Sequence, residues 1–189
     1  MKSELQNIVK TLEKNNRSLK SQVNELKGRM LELVLWREMN QYRKQARPFP
    51  NLINKCREMP EKLMNHPIFV KIQSIIIGMI YINYFIQTPE TNALEFDLFV
   101  ECIVEDNSYT ALVFESKNRD EQKPTQKEVQ NFITKIEVLG YSLQRQGKQN
   151  IHIGPIYFSA NGFDNIEESY LHDNNVITAD INSLGIKME

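Results

Sequence analysis

The chain has 189 residues, 41% of them hydrophobic and 25% charged, with seven Gly and seven Pro, which excludes a disordered, collagen-like or disulfide-built protein. At this length one domain of ordinary size plus an appendage can bury roughly 70% of the surface its unfolded chain exposes. The net charge of −1 argues against a partner held by bulk electrostatics, yet residues 1–71 carry fifteen Lys or Arg against seven Asp or Glu, and the remainder eight against seventeen.

A basic leading part suits phosphate backbones and an acidic trailing part suits divalent cations, while two solvated surfaces of opposite sign would give the same counts. Cys56 and Cys102 lie far apart and form no C-x-x-C, so neither a zinc site nor a disulfide framework is expected. Residues 1–30 have no apolar core of the kind a secretory leader needs, and a cytoplasmic setting is the expectation.

Leu5, Leu12, Leu19, Leu26 and Leu33 recur every seven residues. Set at heptad position d, they put Val9, Asn16, Val23 and Met30 at a, the seam of a left-handed coiled coil. Val at a with Leu at d favours two parallel helices, and Asn16 favours an in-register pair because each Asn bonds its twin. The spacing therefore predicts a parallel homodimer through residues 1–35, with an arm packed on its own domain as the other possibility. The flanking residues, Glu13, Lys20 and Lys27 at e and Ile8, Asn15, Gln22 and Arg29 at g, offer few opposite-charge pairs. A transcription-factor zipper has a basic helix ahead of it; here Arg37, Arg43, Lys44 and Arg47 follow the seam and precede Pro48 and Pro50. The expected organisation is a coiled-coil helix over 1–47, a linker over 48–60 and a domain over 61–189.

Within that domain, 61–77 reads mostly as helix, interrupted near His66-Pro67, and 79–86 as a strand. The apolar run 68–86 contains Lys71, Gln73, Ser74 and Asn83, so it is read as a buried helix and strand and not as a membrane span. After a turn at 88–92, residues 94–105 alternate, with Phe96, Leu98, Val100, Cys102 and Val104 on one face and Glu95, Asp97, Phe99, Glu101 and Ile103 on the other. A turn at 106–108 leads to a strand at 109–118 and completes a hairpin. Residues 125–143 form a helical pattern opened by a Thr125/Glu128 capping box, followed by a strand at 151–159, a short helix at 163–172 and a last strand at 176–181.

Glu115 and Lys117 stand two apart on one strand and share a face, and a hairpin turning near Asn107 brings Asp97 opposite residues close to Glu115. Two carboxylates of hard oxygen can share Mg²⁺ or Mn²⁺, and a nearby ammonium can orient a water or balance phosphoryl charge, a set suited to phosphodiester hydrolysis. A solvated hairpin face with cross-strand ion pairs is the plainer reading of the same residues. His66, His152 and His172 have no partners at metal-ligand spacing, and the glycines at 140, 147, 154 and 162 form no phosphate or dinucleotide loop.

Glu95-Phe96-Asp97-Leu98, then Glu115-Ser116-Lys117 eighteen residues after Asp97, then a helix, resembles the PD-(D/E)XK nuclease superfamily over residues 61–181. The resemblance implies an α/β, restriction-endonuclease-like mixed sheet core (αβββαβ), Asp97 and Glu115 as metal ligands and Lys117 as the catalytic lysine. Gln130, or Gln126, matches a helix Gln that assists some subfamilies. Phe96 stands where the motif has Pro, and the predicted first helix offers Glu61, with Gln73 in its middle, where active members often carry a metal-binding Glu. A coiled coil ahead of such a domain resembles uncharacterised prokaryotic members. The leading expectation is a Mg²⁺-dependent nuclease of dimeric form acting on DNA, with RNA open; the alternative is a weak or inactive nuclease-like module in a coiled-coil assembly or nucleic-acid-binding protein.

Overall fold

In the computed structural model, residues 2–44, 61–72, 75–87, 93–104, 108–118 and 122–180 are described. The linker expected over 48–60, Arg47, Cys56, Gln73, the turn at 88–92, residues 105–107 and the chain beyond 180 lie outside them, as do the side chains of residues 2–5, Leu5 included.

The first element is helix α1 (Lys2–Lys44), about 65 Å long at 1.5 Å per residue. Its two halves differ. From residue 6 to 23 every side chain is exposed. Further on, Leu31, Leu35 and Met39 are 0–1% exposed, packed among Ile77, Leu98, Leu112 and Phe114 of the sheet. These three recur every four residues and form a second apolar row on the side of the helix away from the leucine row. This corrects the expected division of the chain: the later half of the 1–47 helix is built into the core of the domain expected to start at 61.

The helix expected over 61–77 is two short ones, α2 (Glu61–Met64) and α3 (Pro67–Ile72). Pro67 lacks the N–H that a continuous helix would use and instead opens the second. Strand β1 (Ile76–Ile86) starts three residues earlier than the strand expected at 79, because Ile75, Ile76 and Ile77 are β-branched and the first and third are buried. It pairs antiparallel with β2 (Leu94–Ile103), which pairs antiparallel with β3 (Tyr109–Lys117). The first pairing is bulged between Ile77 and Ile80; Gly78 lies so close to β2 that a Cβ there would sit 2.8 Å from the Glu101 carbonyl oxygen.

Helix α4 (Gln126–Arg145) crosses back over the sheet and makes β4 (Ile151–Ser159) parallel to β3. The capping box is formed: the Thr125 N–H donates to Glu128 Oε2 at 2.9 Å, and the Glu128 N–H donates to Thr125 Oγ1 at 3.4 Å. Helix α5 (Asn165–Asp173) leads to β5 (Ile177–Ala179), parallel to β4. The result is an α/β fold with a five-stranded mixed sheet in the order β1-β2-β3-β4-β5. One face is covered by α1, α2 and α3 and the other by α4 and α5. No helix among the described residues is long and apolar enough to cross a membrane.

The expected alternation along β2 breaks at one place. Leu98 and Val100 face α1, but Phe96 packs with Phe99 on the α4 side. Opposite the break, Asn83 of β1 has φ 50°, the left-handed conformation that Asn tolerates better than most residues. The irregularity falls on Asp97.

Candidate active site

Strands β2 and β3 are in register from Cys102–Thr110 to Leu98–Phe114, so one step further Asp97 comes opposite Glu115. On β3, Leu112 and Phe114 point to α1 while Ala111 and Val113 point to α4. The alternation therefore sends Ser116 to the α1 side and Glu115 and Lys117 to the α4 side, at the end of the strand.

Each carboxylate has its own donors. Asp97 Oδ2 accepts from the Ser116 N–H at 2.6 Å and from Ser116 Oγ at 2.9 Å. Glu115 is 7% exposed and accepts one ammonium on each oxygen, Lys117 Nζ on Oε1 at 2.7 Å and Lys135 Nζ on Oε2 at 2.9 Å. Lys135 comes from α4, and its Nζ is 6.0 Å from the centre of the Phe96 ring.

A pocket lined by Asp97, Ser116 and Lys117, but not by Glu115 or Lys135, has a volume of about 600 Å³, and one of its walls is α1. Asn24, Glu25, Gly28, Arg29, Glu32 and Leu33 of that helix line it, facing Asn83, Asp97, Ser116 and Lys117. Asn118 pins the wall in place by donating from Nδ2 to the Lys27 carbonyl at 3.0 Å. Glu32 thus enters the site from a helix packed beside the buried Leu31 and Leu35.

The charges act on one another. Burial pushes the Asp97 carboxyl above the ordinary carboxylate range, and Glu115 adds to the rise, against the Ser116 donors and Lys117. Glu32 is also raised, first by burial and then by Asp97 and Glu95. Burial alone would lower the Lys117 ammonium, but Glu115 and Asp97 outweigh it and hold the pKa above its usual value, so the lysine stays charged. Carboxylates gathered so that each disfavours the next one's charge are common where a site is built for a cation or a proton.

The residues present suit a hard cation in donor type. Asn24 Oδ1 is buried at this pocket and finds no hydrogen-bond donor among the described residues. Among the described residues no group of three His, Cys, Asp or Glu could enclose an ion by itself.

Of the residues expected from the sequence, Asp97 and Lys117 line the pocket, and Glu115 is bonded to Lys117 outside its lining. Gln130 does neither: it is exposed on α4, outside the pocket lining, and its carbonyl accepts from Thr134. Gln126 is exposed as well. Glu61 is exposed on α2 and does not line the pocket; α1 supplies the helix carboxylate instead, through Glu32. Sequence reasoning missed Glu32, Lys135 and Ser116. The Leu31/Leu35/Met39 row beside Glu32, and a lysine between Phe132 and Leu139 on the buried side of α4, were the available signals. Elsewhere, His172 bonds Thr178 at 2.8 Å, and burial pushes the Cys102 thiol up to about 12, which leaves it unreactive.

Compared with known proteins, the chain matches no family model, no curated protein and no solved structure.

Proposed function

We propose that the chain is a metal-dependent nuclease that hydrolyses DNA phosphodiester bonds as a coiled-coil dimer. The observation that carries this reading is the meeting of Asp97 of β2 with Lys117 of β3 in a pocket that α1 closes with Glu32, Glu115 being bonded to Lys117 outside the lining. The order of three antiparallel strands, a crossover helix and a parallel strand supports the resemblance to the PD-(D/E)XK core, with α1 as its first helix.

Asp97 and Glu115, with Glu32 beside them, would hold Mg²⁺ or Mn²⁺. When bound, such an ion polarises a phosphoryl oxygen and lowers the pKa of a water. Lys117, kept charged by its carboxylate neighbours, orients the attacking water and balances charge developing on the phosphate oxygens. Ser116 fixes the Asp97 carboxylate through two hydrogen bonds, and Arg29 at the rim meets the polyanion. The dimer is supported by Val9, Leu12, Leu19, Val23, Leu26, Met30 and Leu33, all 45–67% exposed in the single chain. A helix segment as long as 6–23 with no packing of its own is marginal in water.

Incubation with plasmid and Mg²⁺ or Mn²⁺ tests the reading. Cleavage is expected, with Lys117→Ala lowering it about 100-fold or more. No cleavage by the wild type, or undiminished cleavage by the variant, contradicts it, and the same assay on RNA decides the substrate.

The occupation of both Glu115 oxygens by lysines favours a second reading, a nuclease-like module without activity, because the ammonium groups already balance that carboxylate. Calorimetry separates the two: an inert module shows no Mn²⁺ binding that Asp97→Asn abolishes.

A further inference from the structure

We infer that the seam of α1 and the pocket share a wall, so that a second copy of this chain, paired in parallel, screens the mouth of each candidate site. The inference rests on the parallel pairing proposed above and adds that the site is incomplete in a single chain.

Leu33 carries the argument. It stands at position d, the last leucine of the seam; it is 57% exposed; and it lines the same pocket as Asp97 and Lys117. Arg29, also in the lining, stands at g. In a parallel in-register pair a g residue faces the e residue of the following heptad on the other helix, which here sets Arg29 beside Val34 of the second copy. The side of α1 that lines the pocket, through Gly28, Arg29, Glu32 and Leu33, therefore adjoins the side that meets the partner, whose axis would run about 8–10 Å away.

The occupant is fixed by the helix itself. The exposed row keeps the 3.5-residue period that only another helix of the same period can bury. Asn16 is a polar residue in that row whose best match is another Asn16. Packing on the chain's own domain does not account for the row, because residues 6–23 are exposed on every side. At residues 31–39 the domain already occupies the other side of the helix.

The test is the reaction of Arg29→Cys with a charged thiol reagent, read at position 29 by mass spectrometry in the full chain and in a Leu12→Asp/Leu19→Asp background. The two seam positions are not part of the pocket lining and are 60–61% exposed. The dimeric chain is expected to react about tenfold more slowly than the monomeric variant, because the partner helix covers the thiol. Equal rates, with sedimentation showing a dimer, overturn the shared wall; a strictly monomeric parent chain at micromolar concentration overturns the pairing as well. Protection at position 29, with the unsubstituted chain cutting no nucleic acid, upholds the wall and sinks the nuclease reading. Should the double variant fail to fold, dilution of Arg29→Cys alone through dimer dissociation gives the same answer: the rate must rise, and a flat rate contradicts the inference.

Discussion

The outer and inner halves of α1 are one helix under two regimes. Residues 6–23 all have exposed side chains, and their apolar row is legible as a heptad repeat. From Asn24 onward the helix has a buried side, where Leu31, Leu35 and Met39 complete the core, and an open side, where Leu26, Met30 and Leu33 continue the repeat. Between the two sides Glu32 enters the candidate site. A heptad repeat thus marks one face of a helix without reporting what its other faces do, and a single long helix can be exposed arm, core element and pocket wall at once.

The largest effect should separate the halves by stability. Leu35→Ala, at a fully buried position, is expected to cost about 2–5 kcal/mol in urea unfolding, whereas Leu19→Ala at a 60% exposed position leaves the domain's own transition unmoved and shifts only the sedimentation profile. Equal costs at the two positions would break the comparison. Next, Lys135→Ala leaves buried Glu115 with Lys117 as its one remaining lysine partner and is expected to cost about 1–3 kcal/mol.

A smaller effect has the opposite sign. The raised folded-state pKa values of Asp97 and Glu32 mean that the fold binds protons more tightly than the unfolded chain, so their contribution to stability falls as pH rises from the ordinary carboxylate value through the folded one. Asp97→Asn should therefore unfold at equal or higher urea at pH 7, by up to about 1 kcal/mol. The variant's gain over the parent should disappear as the pH is lowered through that window. A loss of stability at pH 7 would show that the Ser116 hydrogen bonds outweigh the crowding of carboxylates. The smallest effect belongs to Glu25→Ala, which removes an exposed pair with Arg29 at 2.7 Å and should change stability by less than about 0.5 kcal/mol.

Much of the fold was open to reading from the sequence because period-two strands and a capping box are local signals. The hairpin that brings Asp97 opposite residues close to Glu115 followed from a turn between two strands, and the shared face of Glu115 and Lys117 from their spacing of two. What stayed hidden depends on packing between distant elements. Nothing local to Glu32 says that a residue 65 positions before Asp97 shares its pocket. Lys135 reaches Glu115 only because α4 is laid on the sheet, and Gln130, expected from the resemblance, falls on the exposed side of that helix. The break in alternation at Asp97 depends on the left-handed Asn83 in the neighbouring strand.

If α1 completes a cation site begun by Asp97 and Glu115, cation binding must depend on both Asp97 and Glu32. Calorimetric titration of the full chain with Mn²⁺ tests it most directly, comparing the wild type with Asp97→Asn and Glu32→Gln. Binding by the wild type, its loss in Asp97→Asn and a weakening of about 10- to 100-fold in Glu32→Gln are predicted. Absence of binding by the wild type, or identical affinity in all three, would contradict the account.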